Sequence, residues 1–149
     1  MLLKNFINGL KKLKIISLIL VVIFLSACTN SSLDLKINDT LLDIEISADA
    51  LSRVKGLSGR EDLCENCGMV FLFGKQAKHF FWMKDMNFPL DIVYIQNDKI
   101  VEIFKDVQVL DNMNEITEIF PNQNADKVLE LNAGWCETHN VQVGDKIEL

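Results

Sequence analysis

The stretch FPLDIVYIQNDKIVEIF, residues 88–104, decides the fold of this chain. It consists of a largely apolar run over 88–96, the turn-forming pair Asn97-Asp98, and a second run from Lys99 to Phe104. Two runs of strand length joined by a short polar turn are typical of a β-hairpin. We therefore predict two neighbouring antiparallel strands in the middle of the chain.

Shorter segments of the same kind lie on both sides of this hairpin. Alternating or continuous apolar runs predict six further strands, at 33–37, 42–46, 69–73, 79–84, 127–131 and 146–149. A helix is predicted over 47–53, with Ser47 as its cap, and a helical turn within 134–140. About eight short strands at hairpin spacing predict a mainly β fold, an antiparallel sandwich or partly open barrel with one or two short helices.

The amino-terminal residues combine positive charge, a short apolar run and small side chains. Four lysines precede the apolar run over 15–25, which ends in LSAC at residues 25–28. This order resembles a bacterial lipoprotein signal, in which the chain is cut before the cysteine and the thiol receives a diacylglyceryl group carrying palmitate-type chains. We predict a signal peptide at 1–27 and lipidation at Cys28. The alternative, an uncleaved membrane helix, needs a longer run of ~20 apolar residues.

The remaining chain predicts one acidic domain behind a short tether. Polar residues over 28–33 are typical of a lipidated linker, and 34–149 is long enough for a single globular β-rich domain. Once the leader is removed, 11 basic residues stand against 21 acidic ones, which disfavours nucleic acid as a partner. The expected location is extracytoplasmic, as a membrane-anchored lipoprotein on the periplasmic or cell-surface side of the bacterial envelope.

Three cysteines of the mature chain could form a bond or a site. Cys64 and Cys67 form a C-x-x-C pair, and Cys136 with His139 supplies a C-x-x-H pair. Together they match a tetrahedral zinc site, but an oxidising compartment favours a disulfide. Closure between Cys64 and Cys67 makes a very small ring, so pairing of one of them with Cys136 is geometrically easier. Thiol redox exchange and unpaired thiols remain alternatives, and no cofactor other than this zinc is expected.

Asp91 is the most unusual carboxylate of the sequence. Strand alternation puts it on one face with Val93 and Ile95, so its surroundings are apolar. Such a group could serve as a general acid or base. The favoured interpretation is a structural aspartate that is satisfied by backbone amides or by one of three cations, Arg53, Arg60 or Lys84.

Aromatic and cationic side chains near this strand are the other candidates for binding. Trp82 and Lys84 share a strand face, where a ring could stack on a sugar and the lysine could hold an anion. A core position for Trp82 with an outward-pointing Lys84 is the favoured alternative. Arg53 and Arg60 flank a glycine-rich turn and could bind a carboxylate or phosphate, or form an ion pair only.

Three sequence blocks resemble one uncharacterised family. They are Arg53 with GLSGR at 56–60, GMVFLF at 68–73, and FWMK at 81–84 followed by PLDI at 89–92. Weaker matches follow at 128–130, 133–134 and 143–145. Over roughly residues 44–149 the chain resembles domain-of-unknown-function family 192. The resemblance implies a compact β-rich domain and no defined activity, and the three cysteines and Asp85-Met86 depart from the family's pattern.

Three functions follow from these observations, and no catalytic residue is assigned. The first is a lipid-anchored binding or accessory module of the envelope, which takes a small ligand or another envelope protein through Arg53, Arg60, Trp82, Lys84 and Asp91. The second is an envelope enzyme that uses Asp91 with Lys84 or Arg60, and it is the less favoured of the two. The third is a metal- or disulfide-containing thiol module built on Cys64, Cys67 and Cys136.

Overall fold

The structure is a computed structural model that describes residues 32–110 and 115–149. The predicted signal peptide, the lipidation site Cys28 and the tether up to residue 31 lie outside these residues. Within the described ranges, no helix has the length and apolar character needed to cross a membrane.

The described residues form nine β-strands and two short α-helices. The strands are β1 Ser32–Ile37, β2 Thr40–Ser47, β3 Cys67–Ala77, β4 Phe81–Trp82, β5 Leu90–Gln96, β6 Lys99–Val107, β7 Glu118–Ile119, β8 Ala125–Asn132 and β9 Ile147–Glu148. The helices are α1 Ala50–Lys55 and α2 Trp135–Thr138. The mainly β class with two short helices is therefore confirmed.

Seven strands form one mixed sheet in the order β6-β5-β8-β3-β2-β1-β9, and β4 pairs with β7 in a separate ribbon. Both predicted hairpins, β1–β2 and β5–β6, are antiparallel. The pair β2–β3 is parallel, which the prediction of an antiparallel architecture did not include. A parallel pair requires a long crossover, and the segment between Ser47 and Cys67, which contains α1, supplies it.

The centre of the sheet is covered on both faces. Every residue from Leu90 to Ile95 is buried. Val93 and Ile95 belong to one core, with β1, β2 and α2, whereas Leu90, Ile92 and Tyr94 belong to a second core, with Leu57, Met83 and Met86. The alternation predicted for this strand is thus present, although neither face meets water.

The two ends of the sheet approach one another, so the sheet curls into a half-barrel. Lys99 at the start of β6 forms an antiparallel bridge with Lys146, just before β9. The amide of Ile147 donates to the carbonyl of Asp98 at 2.9 Å. Because β9 also pairs with β1, the chain end links the opposite edges of the sheet.

Two local predictions were wrong. The carboxylate of Asp49, not the hydroxyl of Ser47, caps α1 by accepting from the amides of Leu51 and Ser52. Ser47 is buried at the end of β2, where its hydroxyl lies 3.1 Å from Oγ of Ser52. The strand predicted over 79–84 is only two residues long, because just Phe81 and Trp82 find a partner, in β7.

Candidate functional site

A cavity of about 330 Å³ lies between α1, β3 and β4. Its walls carry five aromatic side chains, namely Phe71, Phe73, Phe80, Phe81 and Trp82. Its polar lining includes four side chains, those of Arg53, Lys55, Ser58 and Glu130. Aromatic walls with a few polar groups are the usual lining of a small-molecule site.

Strand alternation explains the aromatic wall. Phe71 and Phe73 lie two residues apart on β3, so both project from the same face. Phe81 of β4 packs edge-on against them, with ring centroids 4.9 Å from Phe71 and 6.4 Å from Phe73. Phe80 and Trp82 meet edge-on at 5.6 Å, and both side chains are partly open to solvent. The wall is therefore packed at its base and open at its mouth.

The cationic side of the cavity comes from α1. Nη1 of Arg53 donates to the carbonyl of Leu72 at 3.0 Å and also to that of Ala48. Its guanidinium lies 5.4 Å from the centroid of the Phe73 ring, a cation–π contact. The helix ends at Gly56, whose φ of +49° turns the chain back towards the sheet. This turn brings the backbone of Gly56 beside Phe71.

Glu130 on β8 is the buried polar group of the cavity. Only 5% of the residue is exposed, and its Oε2 atom has no hydrogen-bond partner among the described residues. Burial raises the pKa of this carboxyl to about 8, although the positive charge of Arg60 opposes the shift. At neutral pH Glu130 is therefore mostly protonated, and its carboxylic acid can donate a hydrogen bond.

Sequence reasoning missed Glu130. The apolar residues of the run over 127–131 predict a strand and do not by themselves single out its acidic residue. Its alternation puts Glu130 on the same face as Val128, which belongs to a buried core. An acidic residue at a core-facing strand position is the signal that could have revealed the site.

The predicted binding residues divide between the cavity and other places. Arg53 and Trp82 line the cavity. Trp82 is 40% exposed, so the favoured prediction of a core position was wrong; β4 stands at the cavity mouth rather than inside the sheet. Lys84 is exposed and is not part of the lining.

Arg60 forms an ion pair outside the cavity. Its Nη1 and Nη2 atoms lie 2.5 and 2.7 Å from the two carboxylate oxygens of Glu45. This fork, more than the charge of Arg60 alone, lowers the pKa of Glu45. The sequence prediction offered an ion pair as the alternative for Arg60, and that arrangement is present.

Asp91 is buried on the opposite face of the sheet and is held by backbone amides. Its Oδ1 accepts from the amides of Asp106 at 2.8 Å and Gly134 at 3.1 Å, and its Oδ2 accepts from that of Cys136 at 2.8 Å. Its side chain has no exposed area. Of the alternatives for this residue, the structure shows the aspartate satisfied by amides, not by Arg53, Arg60 or Lys84.

The cysteines do not assemble the predicted zinc set. Cys64 and Cys67 form a disulfide with each other, with Cα atoms 5.1 Å apart, so the small ring that the sequence disfavoured is the one present. Cys136 is a buried thiol whose pKa is raised to about 12, first by burial and then by the nearby charge of Asp91. His139 stacks on Trp135 at 4.1 Å. Across 32–110 and 115–149, no three histidine, cysteine or acidic side chains converge on a common point.

The sequence blocks described above converge on the cavity. The first block contributes Arg53, Gly56 and Ser58 to its lining, the second Phe71 and Phe73, and the third Phe81 and Trp82. Glu130 ends one of the weaker matches. The cavity is therefore built from the part of the sequence that resembles the family.

Comparisons with solved structures show the same fold elsewhere. A "putative transcription regulator" from Sinorhizobium meliloti 1021 is 26% identical, with a TM-score of 0.74 over 83% of this chain and 97% of that chain. A protein of unknown function from Novosphingobium aromaticivorans DSM 12444 is 24% identical, with a TM-score of 0.73 over 83% of this chain and 89% of that chain. No curated protein gives a significant match. The model of one protein family, DUF192 ("Uncharacterized ACR"), matches residues 33–149, and the chain belongs to that family.

Proposed function

We propose that this protein is a lipid-anchored binding domain of the bacterial envelope that holds a small molecule in the cavity between α1, β3 and β4. The LSAC sequence at 25–28 supports the anchor. The aromatic walls and the few polar groups of the cavity support the binding role. The acidic composition gives no support to nucleic-acid binding, so we do not carry over the name of the Sinorhizobium protein.

The observation that carries this proposal is the buried Oε2 atom of Glu130, which has no hydrogen-bond partner in the part of the chain that the structure describes. A buried polar group without a hydrogen bond costs about 1–3 kcal/mol of stability. An apolar residue of similar size at position 130 would avoid that cost. A bound ligand would supply the missing hydrogen-bond partner of Oε2. Glu130 lies on the cavity wall, so a ligand in the cavity can reach it.

The two alternative functions have weaker structural support. An enzyme based on Asp91 needs a free carboxylate, whereas Asp91 is buried and accepts three backbone hydrogen bonds. Neither Lys84 nor Arg60 reaches it. A thiol module retains one candidate, the Cys64–Cys67 disulfide with its exposed Cys64, but Cys136 is buried, has a raised pKa and takes no part in that bond. We therefore place the function at the cavity.

The binding role is tested with 1-anilinonaphthalene-8-sulfonate, an aromatic probe whose fluorescence rises in apolar sites. Val54 and Leu51 both lie on α1 and are 63% and 83% exposed, but only Val54 lines the cavity. Val54→Trp should fill the mouth and lower the probe affinity at least tenfold, whereas Leu51→Trp should leave it unchanged. Equal affinities in all three proteins, or no probe binding to the wild type, would contradict the proposal.

The anchor is tested by fractionation of host cells. The wild-type protein should be found with membranes and should release an acylated amino-terminal peptide beginning at Cys28. Cys28→Ser should appear in the aqueous fraction or keep its leader, with the domain still folded. An unmodified Cys28 in the wild-type protein would contradict lipidation without affecting the binding proposal.

A further inference from the structure

The charged groups of the cavity are arranged by depth. Lys55 is exposed and Arg53 is half-buried, so both cations stand on the outer side with Phe80 and Trp82. Glu130 is the buried polar group and therefore marks the deep side. Among the described residues that line the cavity, Glu130 has the one acidic side chain. A ligand that matches this order has different chemistry at its two ends.

We propose that the cavity binds a small aromatic carboxylate whose far end carries a hydrogen-bond acceptor, such as a carbonyl oxygen. The carboxylate would pair with Lys55 and Arg53 at the mouth, the rings would lie against the aromatic wall, and the acceptor would accept a hydrogen bond from the carboxylic acid of Glu130. This inference rests on the proposed function, because it names the ligand class for the same cavity.

The aromatic wall favours a ring over a flexible chain. Phe80 and Trp82 offer partly exposed rings at the mouth, and Phe73 offers a ring that already holds the Arg53 guanidinium on one side. Offset stacking and edge contacts make such rings a good match for another ring. The volume of about 330 Å³ lies at the small end of the ~300–1,000 Å³ range of ligand sites, which suits one or two fused rings.

The mouth favours a negative group. The two hydrogen bonds of Arg53 to backbone carbonyls both use Nη1. Its Nη2 donates to no residue that the structure describes, so that side of the fork is open to a ligand. Lys55, in the last turn of α1, adds a second positive charge. An organic cation would be attracted by the aromatic faces but repelled by these two side chains.

The deep end favours an acceptor, because the acid there keeps its proton. The charged group that acts on Glu130 is Arg60, which is itself paired with Glu45, whereas Arg53 and Lys55 line the same cavity. Arg60 keeps its charge between pH 6.5 and 9, because its hydrogen bonds to Glu45 raise its pKa above an already high value.

Other titratable groups near this face have pKa values that are shifted away from that range. On β5, Tyr94 has a pKa raised far above its usual range, mainly by burial. His79, whose ring stacks on Phe73, has its pKa lowered by burial. The carboxylate of Glu45 has its pKa lowered by the Arg60 fork. Among these described groups, Glu130 is the one whose pKa lies within the range, so ligand affinity should follow its protonation.

The experiment uses calorimetric titration of the protein with four naphthalene probes. 6-Acetyl-2-naphthoate carries both groups; 2-naphthoate lacks the acceptor; 2-acetylnaphthalene lacks the acid; and (2-naphthylmethyl)trimethylammonium carries a cation instead. At pH 6.5 the first probe should bind at least tenfold more tightly than the other three. Its affinity should fall about tenfold between pH 6.5 and 9, since only the protonated form of Glu130 donates.

Variants separate the two ends of the ligand. Glu130→Gln keeps a donor, so it should bind 6-acetyl-2-naphthoate within a few-fold of the wild type and lose the pH dependence. Lys55→Gln should weaken only the two carboxylate probes, whereas Lys84→Gln, at an exposed lysine outside the cavity lining, should change nothing.

Opposite results would overturn the inference. Strongest binding of the ammonium probe, with affinity that rises towards pH 9 and is lost in Glu130→Gln, would show a cation site. The proposed function would then stand and only the ligand class would be wrong. If no probe binds, or if Val54→Trp binds every probe as the wild type does, the proposed function itself fails.

Discussion

The backbone of Gly56 lies directly beside the buried carboxyl of Glu130. A Cβ atom at Gly56 would be 3.8 Å from Oε2 of Glu130 and 3.3 Å from Cζ of Phe71. With φ at +49°, the position also disfavours any residue with a side chain. Because Gly56 has no side chain, the end of α1 leaves open space beside the carboxyl of Glu130.

The first prediction concerns the pH dependence of stability at Glu130. Its pKa rises from an ordinary 4.5 to about 8 on folding, so between these values the folded protein holds a proton that the unfolded chain has released. The wild type should lose stability as the pH rises through this window, by up to about 1.4 kcal/mol per pH unit. Glu130→Gln has no such proton, so its free energy of unfolding should rise relative to the wild type from pH 5 to pH 8.

Urea denaturation at several pH values measures this difference. Glu148→Gln is the control, because that carboxyl is exposed, and it should track the wild type at every pH. A constant difference between Glu130→Gln and the wild type across pH 5–8 would show that Glu130 is ionised in the folded protein.

The second prediction uses the two tryptophans. Trp135 is 4% exposed, and its indole nitrogen donates to Oδ1 of Asn66 at 3.1 Å, whereas Trp82 is 40% exposed. Trp135→Ala should cost about 3–5 kcal/mol of stability, and Trp82→Ala less than about 1.5 kcal/mol. Thermal and urea unfolding of the two variants test this. A larger loss of stability for Trp82→Ala than for Trp135→Ala would show that Trp82 is a core residue.

The third prediction concerns Asp91. An asparagine at this position puts an amide group where a carboxylate oxygen now accepts from a backbone N–H. One donor is then left without an acceptor, so Asp91→Asn should cost about 2–4 kcal/mol. The exposed Asp98 provides a control, because Asp98→Asn removes the same charge. A neutral effect of Asp91→Asn on urea unfolding would contradict the structural role of the carboxylate.

The fourth prediction compares two glycines of β3. A Cβ atom on Gly68 would lie 2.8 Å from the carbonyl oxygen of Glu130 and 2.9 Å from Cδ1 of Ile44, whereas Gly74 has nothing within 4 Å. Gly68→Ala should therefore push β2 and β8 apart and cost about 1–3 kcal/mol. Gly74→Ala should be neutral or slightly stabilising. Similar unfolding midpoints for the two variants would show that β2 and β8 can move to accommodate the added methyl group at position 68.

The hairpins were predictable because their signals are local. Asn38 and Asn97 both adopt positive φ values in the turns of β1–β2 and β5–β6, as asparagine allows. The parallel pairing of β2 with β3 was not predictable, because alternation gives the faces of a strand but not its neighbour or direction. The strands β4 and β7 are each only two residues long, which is too short to produce a periodic pattern in the sequence.

The candidate site was predictable only in part. Arg53 and Trp82 drew attention through their chemistry and both line the cavity. The burial of Asp91 was predicted correctly, but its partners are amides of three separated residues, Asp106, Gly134 and Cys136. No sequence pattern identifies which distant amide meets a given carboxylate. The core-facing position of Glu130 follows from the alternation of β8, but the lack of a partner for its Oε2 atom depends on how α1 packs over β3 and β8.

The brevity of β9 has a consequence for handling the protein. Ile147 and Glu148 pair with the edge of β1, and the amide of Ile147 also donates to Asp98 in the turn before β6. The strand β9 therefore holds the two edges of the sheet together. Removing β9 would expose the backbone groups of β1 at Lys36 and Ile37, and an unpaired strand edge is a template for intermolecular pairing. An affinity tag fused directly after Leu149 would crowd β9. Protein tagged in this way should therefore aggregate sooner than protein with a spacer between Leu149 and the tag.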